Sequence, residues 1–303
     1  MLDGLDGKVA IVTGAGRGLG RAEALELARQ GVRVVVNDFG RSLAGEEDEN
    51  PADAVVAEIR EAGGEAVPNF GDVADWNESQ QLVNQALDAF GRLDILVNNA
   101  GILRDRTVFN MSEQEWDAVI RVHLKGHFCM SRHTTAYWRE RAKAEGDRGV
   151  YGRIVNTSSE AFLGGSPGQP NYAAAKAGIV QLTLSSAQVM AKYGITANAI
   201  CPRALTRMTE TLQGFDTSED GWDVFDPSNV SPLVAYLASP QAAQVSGQVF
   251  VVYGKMITVM APPIADTRFD AGEPWTPESV AGVLDPFFEK REFLVDGFRA
   301  RLG

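Results

Sequence analysis

The chain has 303 residues, of which 45% are hydrophobic and 22% charged, and a protein of this length and balance buries a core without disulfides or a structural metal. Its net charge of −12 argues against nucleic acid or an anionic membrane as the main partner, because phosphate groups need a basic surface. Glycine is frequent, with 31 residues, but no every-third spacing is present, which excludes a collagen-like fibre.

Short β-branched runs alternate with longer amphipathic stretches along most of the chain. Strands are predicted over residues 9–13, 32–37, 65–70, 93–97, 153–157, 196–200 and 248–253. Helices are predicted over residues 19–30, 51–62, 75–90, 112–137, 171–193 and 232–238. This alternation predicts an α/β fold, with a doubly wound, Rossmann-type parallel sheet in a single domain.

Three segments do not follow this alternation, and one of them, residues 139–153, is a charged extension of the long helix and its exit. Residues 41–50 include four consecutive acids and are expected to form an exposed loop. Residues 261–303 follow the last predicted strand and contain a predicted helix that begins at Pro277, with Thr276 as its N-cap. We expect residues 1–260 to form the Rossmann-type domain and residues 261–303 to form a C-terminal extension, which packs on the core or on a neighbouring subunit.

The two cysteines indicate a reducing environment. Cys129 and Cys201 form neither a CxxC pair nor a disulfide framework. The N-terminal residues lack the basic and apolar segments of a secretory signal, and no apolar run approaches the roughly 18 residues of a membrane span. We therefore expect a cytoplasmic protein with no membrane partner.

A glycine-rich turn joins the first predicted strand to the first helix. The turn runs from Thr13 to Gly20 and has glycine at positions 14, 16, 18 and 20. A strand–turn–helix unit of this kind presents free N–H groups and the positive end of the helix dipole to a pyrophosphate. The predicted cofactor-binding residues here are Gly14, Arg17, Gly18, Leu19 and Gly20. A glycine-rich turn without a ligand is the alternative interpretation.

Two acidic residues extend the predicted dinucleotide site. Asp38 ends the second predicted strand, where a carboxylate accepts hydrogen bonds from ribose hydroxyls and repels a 2′-phosphate, so it favours NAD over NADP. Arg17 and Arg41 favour the opposite choice, since either side chain suits a phosphate. Asp72 and Val73 follow the third strand and are predicted to contact the adenine, although Asp72 also suits a turn-capping role.

A tyrosine and a lysine are spaced to act together. Tyr172 and Lys176 are four residues apart on a predicted helix, which places both side chains on one face. A free tyrosine has a pKa near 10, and a neighbouring ammonium lowers it toward the working pH. Ser159 follows a predicted strand, at the sheet edge where ligands bind, and its hydroxyl suits a substrate oxygen. The three residues are the predicted catalytic set.

These motifs together resemble the short-chain dehydrogenase/reductase family over about residues 5–255. The resemblance rests on the glycine turn, on Asn98-Asn99-Ala100-Gly101, on Ser159, Tyr172 and Lys176, and on Pro202. It implies NAD(P) binding, a homodimer or homotetramer, Tyr172 as general acid/base, Lys176 as ligand of the nicotinamide ribose, and Ser159 as the substrate-orienting residue. The implied cofactor-binding set then also includes Asn99, Ala100, Gly101, Tyr172, Lys176 and Pro202.

A closer resemblance connects the chain with one group of this family. The segments 36–40, 98–106 and 121–126 are similar to the (R)-3-hydroxyacyl-CoA dehydrogenase part of type-2 peroxisomal multifunctional enzymes and their bacterial stand-alone relatives. The resemblance implies oxidation of fatty acyl or steroid side-chain CoA thioesters, with NAD as cofactor. The alternatives are a hydroxysteroid dehydrogenase, a 3-oxoacyl-carrier-protein reductase, and a non-catalytic NAD-binding regulator.

Two positions depart from the wider family. His123 stands where the family usually has asparagine, a residue that acts there through its backbone carbonyl. Arg203 stands where glycine usually follows Pro202, and it is interpreted either as a contact for an anionic substrate or as an exposed loop residue. His123 and His127 are four residues apart, but no third ligand is evident, so we expect no metal site.

Overall fold

A computed structural model describes residues 2–40, 50–146, 149–204, 222–261 and 267–289. Within these ranges one sheet has the strand order β3-β2-β1-β4-β5-β6-β7-β8. The strands are β1 (Val9–Thr13), β2 (Arg33–Asn37), β3 (Ala66–Asn69), β4 (Ile95–Asn98), β5 (Gly152–Thr157), β6 (Ile195–Pro202), β7 (Val249–Tyr253) and β8 (Met256–Val259). The first seven are parallel, which confirms the predicted doubly wound α/β fold.

The helices occur between the strands, as predicted. They are α1 (Gly18–Arg29), α2 (Pro51–Glu61), α3 (Trp76–Phe90), α4 (Glu113–Ile120), α5 (Gly126–Ala144), α6 (Ala161–Gly164), α7 (Pro170–Met190), α8 (Ser231–Ala238) and α9 (Pro277–Phe288). None of the helices in the described ranges has the length and apolarity that a membrane crossing requires. Residues 41–49, which include Arg41 and most of the predicted acidic loop, are outside the described residues.

Alternate residues of each strand enter different cores on the two faces of the sheet. In β1, Ala10 and Val12 pack with α1, α2 and α8, whereas Val9 and Ile11 pack with α3 and α5. Residues of a strand point alternately to opposite faces, so a strand covered on both sides is apolar throughout. This explains why the central strands are continuous apolar runs in the sequence.

The structure differs from the sequence prediction at three elements, of which the first is the short helix α6, which was not predicted. The helix predicted over residues 112–137 is interrupted by a π-helical turn, Arg121–Lys125, which separates α4 from α5. The π-turn is not visible in the hydrophobic pattern, because one extra residue per turn barely changes the spacing of apolar positions. The final strand β8 was not predicted either, and it pairs antiparallel with β7 at the sheet edge.

The C-terminal extension contains the predicted helix. Thr276 accepts a hydrogen bond from the amide of Ser279, which makes it the N-cap of α9 as predicted. Within the described residues no side chain of α9 is buried. Phe287 makes an edge-to-face contact with Phe269, so the described part of the extension packs on itself.

Helix α1, which follows the glycine turn, carries an unusual buried acid. Glu23 lies on the core-facing side of the helix with Gly20 and Leu27. Its side chain is fully buried, and neither carboxyl oxygen has a hydrogen-bond partner among the described residues. Burial raises the pKa of Glu23 from 4.5 to about 8, because a charged carboxylate is poorly solvated there. Glu23 is therefore protonated in the folded protein at neutral pH.

We expect the Glu23→Gln variant to change how stability depends on pH. Between pH 4.5 and about 8 the folded carboxyl keeps its proton while the unfolded one loses it, so stability of the unmodified protein falls as pH rises. Glutamine removes this loss and stabilises the protein at pH 8 by roughly 2–4 kcal/mol, with little change at pH 4.5. Urea unfolding at several pH values measures the difference. Glu26→Gln, on the same helix, is the control, and parallel pH curves for Glu23→Gln and the unmodified protein would refute the assignment.

Candidate active site

The predicted site residues meet at the carboxyl ends of the parallel strands. Strand β1 lies between β2 and β4, and the chain leaves it first toward β2 and β3 and later toward β4 on the other side. Such a switch point leaves a crevice outside the strand ends, where open α/β sheets bind ligands. The glycine turn follows β1, the 99–101 segment follows β4, and Ser159 follows β5. The sequence prediction therefore places these residues on the correct edge.

The glycine turn is packed against the segment that follows β4. Gly14 has a φ of +63°, and a Cβ there would lie 2.8 Å from the Cα of Ala100. A Cβ on Gly20 would lie 2.4 Å from the Gly14 carbonyl oxygen and 2.5 Å from Nδ2 of Asn99. Neither position has room for a larger residue. The two glycines are thus required by backbone approach, as predicted.

Asn99 and Thr13 join the two segments through hydrogen bonds. The Asn99 side-chain amide donates to the carbonyls of Thr13 and Gly14, at 3.2 and 3.1 Å. The Thr13 hydroxyl accepts from the backbone amides of Asn99 and Ala100, at 3.0 and 3.2 Å. Asn99 therefore contributes to the site by shaping the turn. Thr13 was not predicted, although its position at the end of β1 is the signal that could have found it.

The turn fits an anionic ligand. Arg17 is the N-cap of α1 in extended conformation, and no side chain caps the first turn of the helix. The first backbone amides of α1 are therefore available to a phosphate, and the helix dipole favours negative charge there. Gly18 has a φ of +54°, a left-handed conformation that favours glycine at the start of the helix. These residues suit the pyrophosphate of a dinucleotide.

Asp38 lies beside the same turn. One of its carboxylate oxygens accepts a hydrogen bond from the Gly16 amide at 3.0 Å, and the other accepts from the Gly40 amide at 3.0 Å. The carboxylate is thus fixed at the end of β2, with its negative charge close to the glycine turn. This is the position that the sequence predicts for the contact with a ribose.

Asp72 and Val73 lie farther along the same edge. Asp72 forms an ion pair with Arg121 at 2.6 Å and accepts from the Ala74 amide at 2.8 Å. The second contact is the turn-capping interaction that the sequence leaves as an alternative, so Asp72 has partners without a ligand. Val73 is buried, and a Cβ placed on Gly126 would lie 2.9 Å from its Cγ2 atom, so the two residues pack closely. The predicted contact of both residues with an adenine stays a prediction.

Ser159, Tyr172 and Lys176 come together as predicted. Ser159 lies two residues beyond β5 and hydrogen-bonds the Tyr172 hydroxyl. Tyr172 and Lys176 are one turn apart on α7, with the Lys176 ammonium 5.2 Å from the centre of the Tyr172 ring. The ammonium donates a hydrogen bond of 2.6 Å to the carbonyl of Thr157, the last residue of β5. A hydroxyl pair and a buried amine therefore lie beside the cofactor crevice.

Burial controls the protonation of this group. It raises the pKa of Tyr172 to about 12, and the hydrogen bond from Ser159 opposes that rise. It lowers the pKa of Lys176 to about 7, because an ammonium is poorly solvated in the same place. The expectation that Lys176 brings the Tyr172 pKa toward neutrality is therefore not met in the protein alone. Desolvation favours the neutral form of both side chains.

Arg203 is engaged within the protein. Its guanidinium makes two hydrogen bonds to the Glu160 carboxylate, at 2.5 and 2.7 Å, and lies 4.7 Å from the centre of the Tyr253 ring. The interpretation of Arg203 as a contact for an anionic substrate loses support, since its charge is already paired. Glu160 directly follows Ser159, so the ion pair connects the serine loop with the segment after Pro202. Glu160 was not predicted from the sequence.

The two central histidines lie close together in the interior of the protein. His123 and His127 are one turn apart across the π-turn and are almost completely buried. No group of three potential histidine, cysteine or carboxylate ligands occurs among the described residues. His123 instead contacts Ile102 and Tyr172, within the site.

Comparison with known proteins identifies the family. The short chain dehydrogenase model matches residues 8–218. The chain belongs to the short-chain dehydrogenase family. It is therefore an oxidoreductase that acts on CH–OH groups, and the members of this family use NAD(P).

Relatives and a solved structure support the same membership. Hydroxyacyl-CoA dehydrogenase ChsB1 of Mycobacterium tuberculosis is 50% identical over 291 residues, which cover 95% of this chain and 90% of that protein. Peroxisomal multifunctional enzyme type 2 of Mus musculus is 44% identical over 248 residues, covering 82% of this chain and 32% of that enzyme. The crystal structure of a short chain dehydrogenase from Mycobacterium avium is 47% identical, with a TM-score of 0.84 and coverage of 98% and 99% of the two chains.

We expect Gly20→Ala to weaken dinucleotide binding at least tenfold. The added methyl group would contact the Gly14 carbonyl and the Asn99 amide, so the turn must shift. Fluorescence titration with NADH and with NADPH measures the dissociation constants. Gly272→Ala, at an exposed position with no atom within 4 Å of the added methyl, is the matched control. Unchanged affinity in Gly20→Ala would show that the turn does not hold the dinucleotide.

Proposed function

We propose that this protein is an NAD-dependent (R)-3-hydroxyacyl-CoA dehydrogenase that converts a secondary alcohol to a ketone on a fatty acyl or steroid side-chain thioester. The observation that carries the proposal is the Ser159–Tyr172–Lys176 group, which lies beside a dinucleotide-binding turn at the sheet's switch point. The similarity to a protein named hydroxyacyl-CoA dehydrogenase, over 95% of this chain, supports the acyl-CoA substrate.

Each residue of the group has a separate task in this proposal. In the oxidative direction the Tyr172 phenolate accepts the proton of the substrate hydroxyl as the C–H bond breaks. When bound, the nicotinamide cofactor supplies the redox chemistry by accepting the hydride. Before substrate binds, the Ser159 hydroxyl donates its one hydrogen bond to the Tyr172 hydroxyl, and with substrate bound it donates that bond to the substrate oxygen instead. Lys176, anchored on the Thr157 carbonyl, holds the nicotinamide ribose.

The low polarity around Tyr172 opposes formation of the phenolate. A pKa raised to about 12 makes the phenolate a strong proton acceptor once it forms, and the neutral phenol a reluctant donor. Contacts that stabilise the phenolate therefore decide how fast oxidation proceeds. Ser159 supplies one such contact in the protein itself.

The preference for NAD rests on Asp38. Its carboxylate is held by two backbone amides at the end of β2, so its charge cannot easily move away. A fixed negative charge at this point repels the 2′-phosphate of NADP and accepts hydrogen bonds from the ribose hydroxyls of NAD. The predicted contacts of Arg17, Leu19, Ala100, Gly101 and Pro202 with the cofactor belong to the same proposal.

The proposal also covers the organisation of the chain. Residues 1–260 form the catalytic domain, and residues 261–303 form an extension that packs on the core or on a neighbouring subunit. The exposure of α9 favours the second possibility, since apolar side chains such as Leu284 and Phe288 remain partly or largely exposed. A homodimer or homotetramer in the cytoplasm fits this arrangement.

We expect the unmodified protein to reduce NAD⁺ with (R)-3-hydroxyacyl-CoA and not with the (S) enantiomer. We expect Tyr172→Phe to lower turnover at least 1,000-fold, roughly the upper range for a general acid–base group, while NADH binding stays within threefold. The absorbance of NADH, followed with a panel of 3-hydroxyacyl-CoAs, steroid side-chain CoA esters and steroid alcohols, measures the substrate preference and the turnover of each protein. Tyr193→Phe, a nearly buried tyrosine outside the site, is the control. Turnover of Tyr172→Phe within tenfold of the unmodified enzyme would refute its role.

We expect Asp38→Asn to reduce the preference for NAD⁺ over NADP⁺ at least tenfold. Asparagine retains an acceptor for a backbone amide but removes the negative charge that faces the 2′-phosphate. The ratio of kcat/KM for the two cofactors, measured with one alcohol substrate, tests this. Asp88→Asn, an exposed change on α3, should leave the ratio unchanged. An unmodified enzyme that already prefers NADP⁺ would contradict the proposal.

A further inference from the structure

The π-helical turn between α4 and α5 places one side chain in the interior. His123 is the buried residue of this turn and is 1% exposed. A π-turn adds one residue to a helical turn, costs hydrogen-bond geometry, and occurs frequently at functional sites. The neighbouring Arg121 instead reaches outward to Asp72. The π-turn therefore places the side chain of His123 in the space between β4 and α7.

His123 is tied to the backbone of the cofactor segment. Its Nε2 lies 2.8 Å from the Ile102 carbonyl oxygen and 3.1 Å from the Ile102 amide nitrogen. One neutral tautomer donates to the carbonyl and the other accepts from the amide, so either form holds the same residue. A Cβ at Gly101 would lie 2.3 Å from the imidazole carbon Cε1. The ring thus lies directly against the backbone that follows Ala100.

The same ring contacts the proposed proton acceptor. The centroids of the His123 and Tyr172 rings are 5.2 Å apart, and the ring planes are perpendicular. This is the edge-to-face geometry that aromatic pairs prefer. Lys176 lies at 5.2 Å from the Tyr172 ring centre, so a histidine and a lysine both restrain it. His123 is the group that connects this ring with the Gly101–Ile102 backbone.

The surroundings keep the imidazole uncharged. Tyr172 and Lys176 face it from α7, and His127 faces it from α5. Burial, the charge of Lys176 and the proximity of His127 lower the pKa of His123 well below its usual range. Its Nδ1 has no hydrogen-bond partner in the described part of the chain. The ring contact with Tyr172 and the hydrogen bond to Ile102 are the two interactions that the side chain of His123 makes in the site.

We propose that His123 is a positioning residue, whose ring fixes the Tyr172 hydroxyl relative to the Gly101–Ile102 backbone and hence to the cofactor crevice. The inference rests on the proposed role of Tyr172 in proton transfer. It gives the side chain of His123 a task, where the family resemblance gave one only to the backbone carbonyl. Without the ring, the Tyr172 hydroxyl moves away from Ser159 more easily. The phenolate then loses a stabilising hydrogen bond, so it forms only at higher pH.

Three variants test this proposal. His123→Leu removes the ring contact and the hydrogen bond to Ile102, and His123→Phe restores a ring without the hydrogen bond. His127→Leu, one turn away and equally buried, is the matched control. The assay uses whichever alcohol the unmodified enzyme oxidises fastest, so failure of the acyl-CoA assignment leaves this test intact.

We expect His123→Leu to lower kcat at least tenfold, to leave the KM for NAD⁺ within threefold, and to shift the acid limb of the kcat profile to higher pH. His123→Phe should recover at least a third of the lost kcat, and His127→Leu should keep the acid limb in place. Thermal unfolding identifies variants that fail to fold. If His123→Leu does not fold, His123→Phe is the variant that tests the proposal. An unchanged limb in folded His123→Leu, or an equal shift in His127→Leu, would overturn the proposal.

Discussion

The close approach of two backbone segments is the constraint on which the rest of the site depends. The turn after β1 and the segment after β4 touch where a Cβ on Gly14 or Gly20 would overlap backbone atoms or the Asn99 amide. Hydrogen bonds between Asn99 and Thr13 hold this contact. Because the two segments end adjacent parallel strands, the register of β1 with β4 aligns them. The open first turn of α1 faces the crevice that results.

Burial is the second determinant, and it acts on charge. Tyr172 and Lys176 are both shifted toward their neutral forms, and His123 is kept neutral beside them. In such a low-polarity site each remaining charge or hydrogen bond acts strongly, because water does not screen it. The contact from Ser159 to the Tyr172 hydroxyl therefore has more influence than the same contact would have on the surface.

An ion pair within the protein connects two segments that lie at the candidate site. Glu160 and Arg203 join the loop after β5 to the end of β6, and Tyr253 on β7 covers the guanidinium. A bidentate arginine–carboxylate pair fixes both distance and direction. Ser159 precedes Glu160, so its hydroxyl is placed by three neighbouring strands of the sheet.

Much of the architecture followed from local patterns. The alternation of apolar strands and amphipathic helices predicted the parallel sheet, and the capping residues Ser112 and Thr276 began helices where expected. The i, i+4 spacing placed Tyr172 and Lys176 on one face, since helical geometry is local. Strand β8 was not predicted because it follows β7 directly through a two-residue turn and pairs with it antiparallel, outside the strand–helix alternation on which the prediction rests.

The sequence by itself therefore determined the fold class, and it predicted the sheet edge and the helix face on which the candidate residues Ser159, Tyr172 and Lys176 lie. These depend on periodicity and on spacing within single elements. Only the tertiary structure decided that Arg203 pairs with Glu160, that burial shifts Tyr172 and Lys176 toward neutrality, and that His123 reaches Tyr172. Pairing, desolvation and ring contact arise between elements distant in the chain, and no local pattern records which of those elements become neighbours.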